Sequence, residues 1–306
     1  MKTRSPLART LVVLLGATSL FACRSENIDS GSTPAPTQAP PAVTTAAVTA
    51  TPAPTATPPP PRPKAKIAPF AEASKALDKR CVPKLPANAS NIDTKTAAAQ
   101  TAECMKKAFT ADLDAVIVPV KNTDPARFNA VMREQASWNK LAEDLCWLAE
   151  ESFWVDFDKG MRDDGTMRGL PWVGCKAQAA SERDYYALAL KADDAAALAT
   201  RIEQLAKAGT RSKELLAEMS KGAAKLAETR IVDAGPPGSY PHMLTLVERG
   251  DLVTRTKSIE DKSREVAHAT CTWAALAETL GGSAACEEAA ALYYLGHANL
   301  EGNRGH

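Results

Sequence analysis

The sequence has 306 residues and a nearly balanced charge, with 37 basic and 36 acidic residues. The first 66 residues hold seven of the basic and two of the acidic ones, so the other 240 residues carry a net charge of −4. This balance excludes a strongly basic nucleic-acid-binding protein. A protein with several membrane spans is excluded as well, because the long apolar run at 11–23 has no counterpart later in the chain.

Residues 1–22 have the three parts of a secretory signal peptide: a basic start, an apolar region at 11–20 and a small residue before Cys23. The closing Leu20-Phe21-Ala22-Cys23 resembles the lipobox of bacterial lipoproteins. This resemblance implies that Cys23 is lipidated and becomes the new N-terminus. An ordinary cleaved signal, in which Cys23 is incidental, is the alternative.

Residues 23–66 are predicted to form a disordered tether. Eleven prolines fall in 30–66, and threonine and alanine supply most of the rest. Such a composition cannot bury a core and favours a polyproline-II spacer. We expect a protein of the bacterial cell envelope that acts at some distance from its lipid anchor. Arg24 and Ser25 follow Cys23 in place of the aspartate that often signals inner-membrane retention, which favours the outer membrane in a Gram-negative cell.

Helical periodicity dominates the body of the chain. Apolar residues recur every three or four positions at 187–207 and 213–231. The same spacing forms a stripe at the C-terminus, made of Cys286, Ala289, Tyr293, His297 and Leu300. Breaks are predicted at 119–125, 160–174, 209, 235–238 and 281–282. The pattern predicts an all-α bundle of six to eight helices.

The body contains six cysteines, and an even count in an exported chain indicates three disulfides. They are Cys81, Cys104, Cys146, Cys175, Cys271 and Cys286. Pairing each cysteine with its neighbour is the simplest of the 15 possible connectivities. A zinc site is the alternative, but the sequence has no Cys-x-x-Cys pair and only His268 lies near a cysteine.

A candidate binding loop runs from Asp163 to Cys175. It is rich in glycine, and it lies within the stretch 138–186, which holds eight of the 15 aromatic residues of the body. Loops on rigid scaffolds often carry recognition, and tryptophan and arginine are common anchors. The candidate binding residues are Asp163, Asp164, Arg168 and Trp172. A merely structural loop is the alternative.

The sequence contains few of the motifs that indicate catalysis or metal binding. The chain has no G-x-S-x-G, H-E-x-x-H or P-loop motif. Glu265 and His268 form a single Glu-x-x-His step, which a di-iron bundle would need twice, so a solvated helix face is the better interpretation. His297 lies on an apolar stripe and is predicted to be a hydrogen-bonded core residue. We therefore predict no enzyme, no cofactor and no metal.

The stretch from Cys81 to about Leu190 resembles the LprI-like domain, named after a mycobacterial lysozyme-inhibiting lipoprotein. The resemblance is carried by Thr101, Glu103, Cys104, Leu113-Asp114, Gln135, Trp138, Cys146, the loop 165–174, Cys175, Ser181 and Arg183. It implies an all-α, disulfide-linked envelope domain without catalytic residues.

Four regions are thus expected: a signal at 1–22, a tether at 23–66, an LprI-like domain at 67–190 and a second helical region at 191–306. Residues 250–300 are either a degenerate repeat of the LprI-like domain or an accidental likeness. The function expected is that of a non-catalytic envelope lipoprotein that binds a protein. The resemblance implies that the partner is a lysozyme-type muramidase whose cleft is occluded. A structural or assembly role without lysozyme inhibition is the alternative.

Overall fold

The computed structural model describes residues 65–163, 165–228, 242–298 and 300. These residues form eight helices: α1 Phe70–Cys81, α2 Asn91–Val120, α3 Pro125–Trp154, α4 Leu170–Ala192, α5 Ala195–Glu228, α6 Leu246–Thr270, α7 Ala274–Thr279 and α8 Ser283–Gly296. The prediction of an all-α bundle of six to eight helices is confirmed. The signal peptide, Cys23 and the tether up to residue 64 lie outside the described residues.

Local sequence signals explain where several of the long helices begin. The Ser90 side chain accepts a hydrogen bond from the Asp93 N–H, and the Asp93 side chain accepts one from the Ser90 N–H. Thr245 and Glu248 form the same capping box at the start of α6. At the start of α3, the side chain of Asp124 accepts a hydrogen bond from the backbone of that helix. Each cap satisfies backbone donors that the helix itself leaves unpaired.

One hydrophobic core holds all eight helices together. Its buried members include Leu77 of α1, Leu148 of α3, Ile202 of α5, Ile259 of α6 and Tyr293 of α8. The core therefore draws on both sides of residue 190. The described residues of 67–190 and of 191–300 thus share this core.

Three short strands form a small antiparallel sheet at one end of the bundle. The strands are β1 Val155–Asp156, β2 Met161–Arg162 and β3 His242–Met243, in that order across the sheet. The sheet follows the end of α3 and precedes the starts of α4 and α6, and we call this end of the bundle the sheet end. Strands of two residues are too short to produce the alternating pattern by which a sequence indicates a strand.

The three predicted disulfides are present. They join Cys81 to Cys104, Cys146 to Cys175 and Cys271 to Cys286, which is the nearest-neighbour pairing. The first bridge connects α1 to α2 and the second connects α3 to α4. The third connects the residue after α6 to α8.

The helix expected at 187–207 is interrupted in the structure. Asp193 has a φ of 53°, in the left-handed region, and follows the end of α4 directly. The side chain of Asp194 then accepts a hydrogen bond from the Ala197 N–H and caps α5. Aspartate suits both positions because its short polar side chain bonds to nearby backbone.

The helix break expected at residue 209 is wrong, because Gly209 lies in the middle of α5. A Cβ atom at this position would overlap the backbone carbonyl group of Leu292 in α8. A Cβ atom on Gly296 would lie 2.8 Å from the Leu205 side chain and 2.9 Å from its carbonyl oxygen. The two glycines thus serve the close approach of α5 and α8, a requirement that a single sequence does not reveal.

Candidate functional site

Three of the four candidate binding residues, Asp163, Arg168 and Trp172, lie at the sheet end, but the predicted extent of their loop is wrong. The loop ends at Gly169 rather than at Cys175, because α4 begins at Leu170. Trp172 and Cys175 are therefore helical residues. Asp163 is exposed, and its N–H donates to the carbonyl oxygen of Trp154 at 2.9 Å. Asp164 lies outside the described residues.

The N-terminus of α4 is capped from a different helix. Gly169 precedes α4 and has no side chain to cap it. The buried carboxylate of Glu150, on α3, accepts hydrogen bonds from the N–H groups of Gly169 at 2.5 Å and Trp172 at 3.0 Å. A carboxylate is favourable at this end of a helix because it meets the positive end of the helix dipole. Glu150 thereby fixes the first turn of α4, which carries Trp172.

Two arginines of the sheet end form ion pairs with carboxylates of other elements. Arg162 is buried and pairs with Glu151 of α3 at 2.5 Å, and it also pairs with Glu248 of α6. The guanidinium of Arg168 lies 3.7 Å from Glu151 and 4.0 Å from Glu150. Arg168 therefore contributes to the local structure, and 36% of its side chain stays exposed.

A surface cleft of about 510 Å³ lies beside these residues, and we call it the tryptophan cleft. Its lining consists of Glu143, Trp147, Glu150, Glu151, Arg168, Gly169, Trp172 and Arg255. The guanidinium of Arg255 lies 4.5 Å from the ring centre of Trp147, and the Lys176 amine lies 5.0 Å from that of Trp172. Arg255 belongs to α6, and no motif in the sequence connects it with Trp172.

A second depression of about 480 Å³ lies between α2, α3 and α4, and we call it the alanine groove. Its apolar lining includes Ala99, Phe109, Trp138, Ala142 and Ala180. The rim carries two carboxylates and two amines, those of Glu103, Glu143, Lys106 and Lys176. Because Glu143 and Trp172 line both depressions, the alanine groove and the tryptophan cleft are adjacent.

A fully buried ion pair connects α3 and α4 in the core. The Arg183 guanidinium donates to both carboxylate oxygens of Glu134, and its Nε donates to the Gln135 side chain at 2.7 Å. The hydroxyl of Tyr294, from α8, donates to Glu134 at 3.2 Å. Burial alone would lower the pKa of Arg183, but the charge and hydrogen bonds of Glu134 outweigh it and raise this pKa. Glu134 and Arg183 are thus bonded to one another and to neighbouring core side chains, so this pair is structural.

A neighbouring polar cluster surrounds Glu182 and His297. Arg201 forms an ion pair with Glu182, and burial raises the pKa of this carboxyl. His297 is buried as predicted, and burial together with the charges of Arg201 and Arg183 lowers its pKa to about 3. The predicted hydrogen bond is not made by its Nε2, which has no partner among the described residues. A neutral imidazole is consistent with this environment.

The Glu-x-x-His motif of Glu265 and His268 lies on a solvated helix face, as predicted. Glu265 is exposed and accepts a hydrogen bond from Ser137, and the exposed His268 lies 2.9 Å from Glu287. Within the described ranges, no three or more histidine, cysteine or acidic side chains group together as metal ligands would.

Asp184 is a buried acidic residue whose pKa is shifted by its burial and by charged groups on α1, α2 and α4. Its side chain is buried, and one carboxylate oxygen has no hydrogen-bond partner among the described residues. Burial and the nearby charge of Asp112 raise its pKa to about 6, against the opposing effect of Arg80 and Lys191.

We expect Asp184→Asn to stabilise the protein at pH 7. The folded state binds more protons than the unfolded state between about pH 4 and 6, so the free energy of unfolding falls as the pH rises through this window. Removing the charge should raise that free energy by about 1 kcal/mol at pH 7, after allowance for solvent screening, and should change little at pH 4. Urea denaturation at both pH values measures this. The matched control is Asp261→Asn, whose side chain is 82% exposed; an equal gain in both variants would contradict the interpretation.

Comparisons of the chain with known proteins identified no relative. No family model, no curated protein and no solved structure matches it. In the part of the chain that the structure describes, no helix combines the length and apolarity needed to cross a bilayer. The resemblance to the LprI-like domain therefore stays a prediction, based on the sequence positions named above.

Proposed function

We propose that the protein is a non-catalytic lipoprotein of the bacterial cell envelope, and that its helical body binds another protein. The proposed partner is a lysozyme-type muramidase, and the proposed activity is inhibition by occlusion of the muramidase cleft. The partner follows from the resemblance to the LprI-like domain. The binding surface follows from the geometry of the sheet end.

The observation that carries the proposal is the separation between the sheet end and the point where the tether joins the body. The Ile67 N–H donates to the Asp194 side chain at 3.0 Å, immediately after the end of α4. Trp172 lies in the first turn of the same helix. Because α4 has 23 residues, these two points are about 34 Å apart. The described start of the body therefore lies at the opposite end of α4 from Trp172 and leaves the sheet end accessible to a partner.

The chemistry of the sheet end suits a protein partner. Trp172 is half-buried and held by the Glu150 cap, which gives a rigid aromatic anchor of the kind that dominates interface energies. The exposed Asp163 lies in the loop before it. Lysozymes are commonly cationic and carry two carboxylates in their cleft, so the acidic body would mainly accelerate their encounter.

Titration of the full chain, with its disulfides intact, against lysozyme in a cell-wall clearing assay tests the proposal. We expect inhibition that depends on concentration, and Trp172→Ala should raise the half-inhibitory concentration at least about tenfold. The control is Trp273→Ala, since Trp273 is also half-buried but lies outside both depressions. Thermal melts of both variants verify folding. An absence of inhibition at tens of micromolar protein would remove muramidase inhibition as the function.

The alternative role in envelope assembly is favoured by the alanine groove. Its floor is apolar and its rim carries charges of both signs, as expected for a contact with another polypeptide. Affinity purification of the anchored full chain from envelope fractions separates the two roles. Recovery of one stable envelope protein, without any effect on lysozyme, would support assembly.

A further inference from the structure

We propose that the tryptophan cleft binds a neutral pyranose oligosaccharide. The cleft shares Trp172 with the protein contact proposed above, but sugar binding does not depend on that contact.

The lining of the cleft contains aromatic and ionised groups but no aliphatic side chain. Its apolar surface comes from Trp147 and Trp172, and the other members are three glutamates, two arginines and one glycine. A pyranose ring has an apolar face of C–H groups and a rim of hydroxyl groups. The C–H face fits the electron-rich face of an indole, and vicinal hydroxyls fit the planar guanidinium groups of the two arginines and the exposed carboxylate of Glu143. The composition of the cleft is therefore complementary to a sugar.

The two arginines of the cleft are held in position by contacts with neighbouring side chains. Arg168 is within 3.7 Å of Glu151 and 4.0 Å of Glu150. Arg255 lies 3.8 Å from the carboxylate of Asp144 and stacks on Trp147. About a third of each guanidinium side chain remains exposed, 36% for Arg168 and 38% for Arg255. These donors are both accessible and oriented before a ligand arrives, which lowers the entropic penalty of binding.

The shape and size of the cleft also suit a short length of glycan. A volume of about 510 Å³ is within the range of small-ligand sites and would hold about two or three pyranose rings. The cleft lies on the surface between α3, α4 and α6, so a longer chain could extend from it at either side. A peptide would need aliphatic pockets for its side chains, and those lie in the neighbouring alanine groove instead.

Titration of the full chain with chitotetraose, a neutral β-1,4-linked oligosaccharide, tests the proposal by calorimetry and tryptophan fluorescence. We expect saturable binding that Trp147→Ala weakens at least tenfold, while the control Trp273→Ala changes it less than twofold. Arg255→Lys keeps the charge but loses the planar donor pair, so it should weaken binding severalfold. No lysozyme is present in this assay, so its result is independent of the muramidase proposal.

Two outcomes would overturn the inference. One is the absence of any saturable signal up to about 10 mM sugar, a range that detects millimolar affinity. The other is a loss of protein-partner binding in Trp147→Ala together with no sugar binding by the parent chain, which would make the cleft a protein contact.

Discussion

Replacing Glu134 by glutamine is expected to lower the free energy of unfolding by about 3 to 5 kcal/mol. The substitution keeps the shape of the side chain but removes the charge that faces Arg183. The two side chains are only 2% and 1% exposed, so the guanidinium would stay buried without its counter-charge. Because the charges of a buried pair gain little in net free energy, the penalty comes from the partner left unpaired.

Urea denaturation of the full chain with its disulfides intact measures this effect. The exposed pair Glu103–Lys107 is the control, with a separation of 3.8 Å. We expect Glu103→Gln to change the free energy of unfolding by about 0.5 kcal/mol or less. The double variant Glu134→Leu/Arg183→Met should recover most of the loss, since it removes both charges. A double variant as unstable as Glu134→Gln would show that the surrounding hydrogen bonds, not the charge, determine the penalty.

Replacing Gly209 by alanine should destabilise the protein by about 3 kcal/mol or more. In most helices the same change is favourable by up to about 1 kcal/mol, because alanine restricts the unfolded chain and has the higher helix propensity. Here the added methyl group would overlap the Leu292 carbonyl. Backbone cannot rotate out of the way as a side chain can, so α5 and α8 would have to move apart.

Gly250→Ala provides the matched control. Gly250 also lies inside a long helix, but a Cβ atom there would meet nothing within 4 Å. We expect this variant to melt at the same temperature as the parent chain or higher. If Gly209→Ala were equally harmless, α5 and α8 could not be in the close contact described above.

Periodicity and cysteine count were sufficient to predict the fold class. Apolar residues three and four apart indicated helices because each helix buries one face, and six cysteines after a predicted signal peptide indicated three bridges. The positions of glycine residues were a less reliable guide to where helices end. It marks the loop before α4 at Gly169, whereas Gly209 serves a contact with residues more than 80 positions away.

The candidate site could be predicted only in part. Trp172 and Arg168 were predicted as binding residues because aromatic and glycine residues cluster around them in the sequence, and the structure places both beside the tryptophan cleft. The Glu150 cap and the position of Arg255 over Trp147 depend on how α3, α4 and α6 pack, and no local pattern encodes that packing. Residues that reach the site from a different helix, such as Glu150 and Arg255, can be identified only from the folded structure.

The Cys81–Cys104 bridge has a mechanical consequence for the N-terminal anchoring proposed above. Tension on residues 65–69 would first break the hydrogen bond from Ile67 to Asp194 and would then unwind α1 from its start. Unwinding would stop at Cys81, where the covalent bond transfers the load to the middle of α2. Pulling on the N-terminus would thus unfold about one short helix before the load reaches the rest of the bundle.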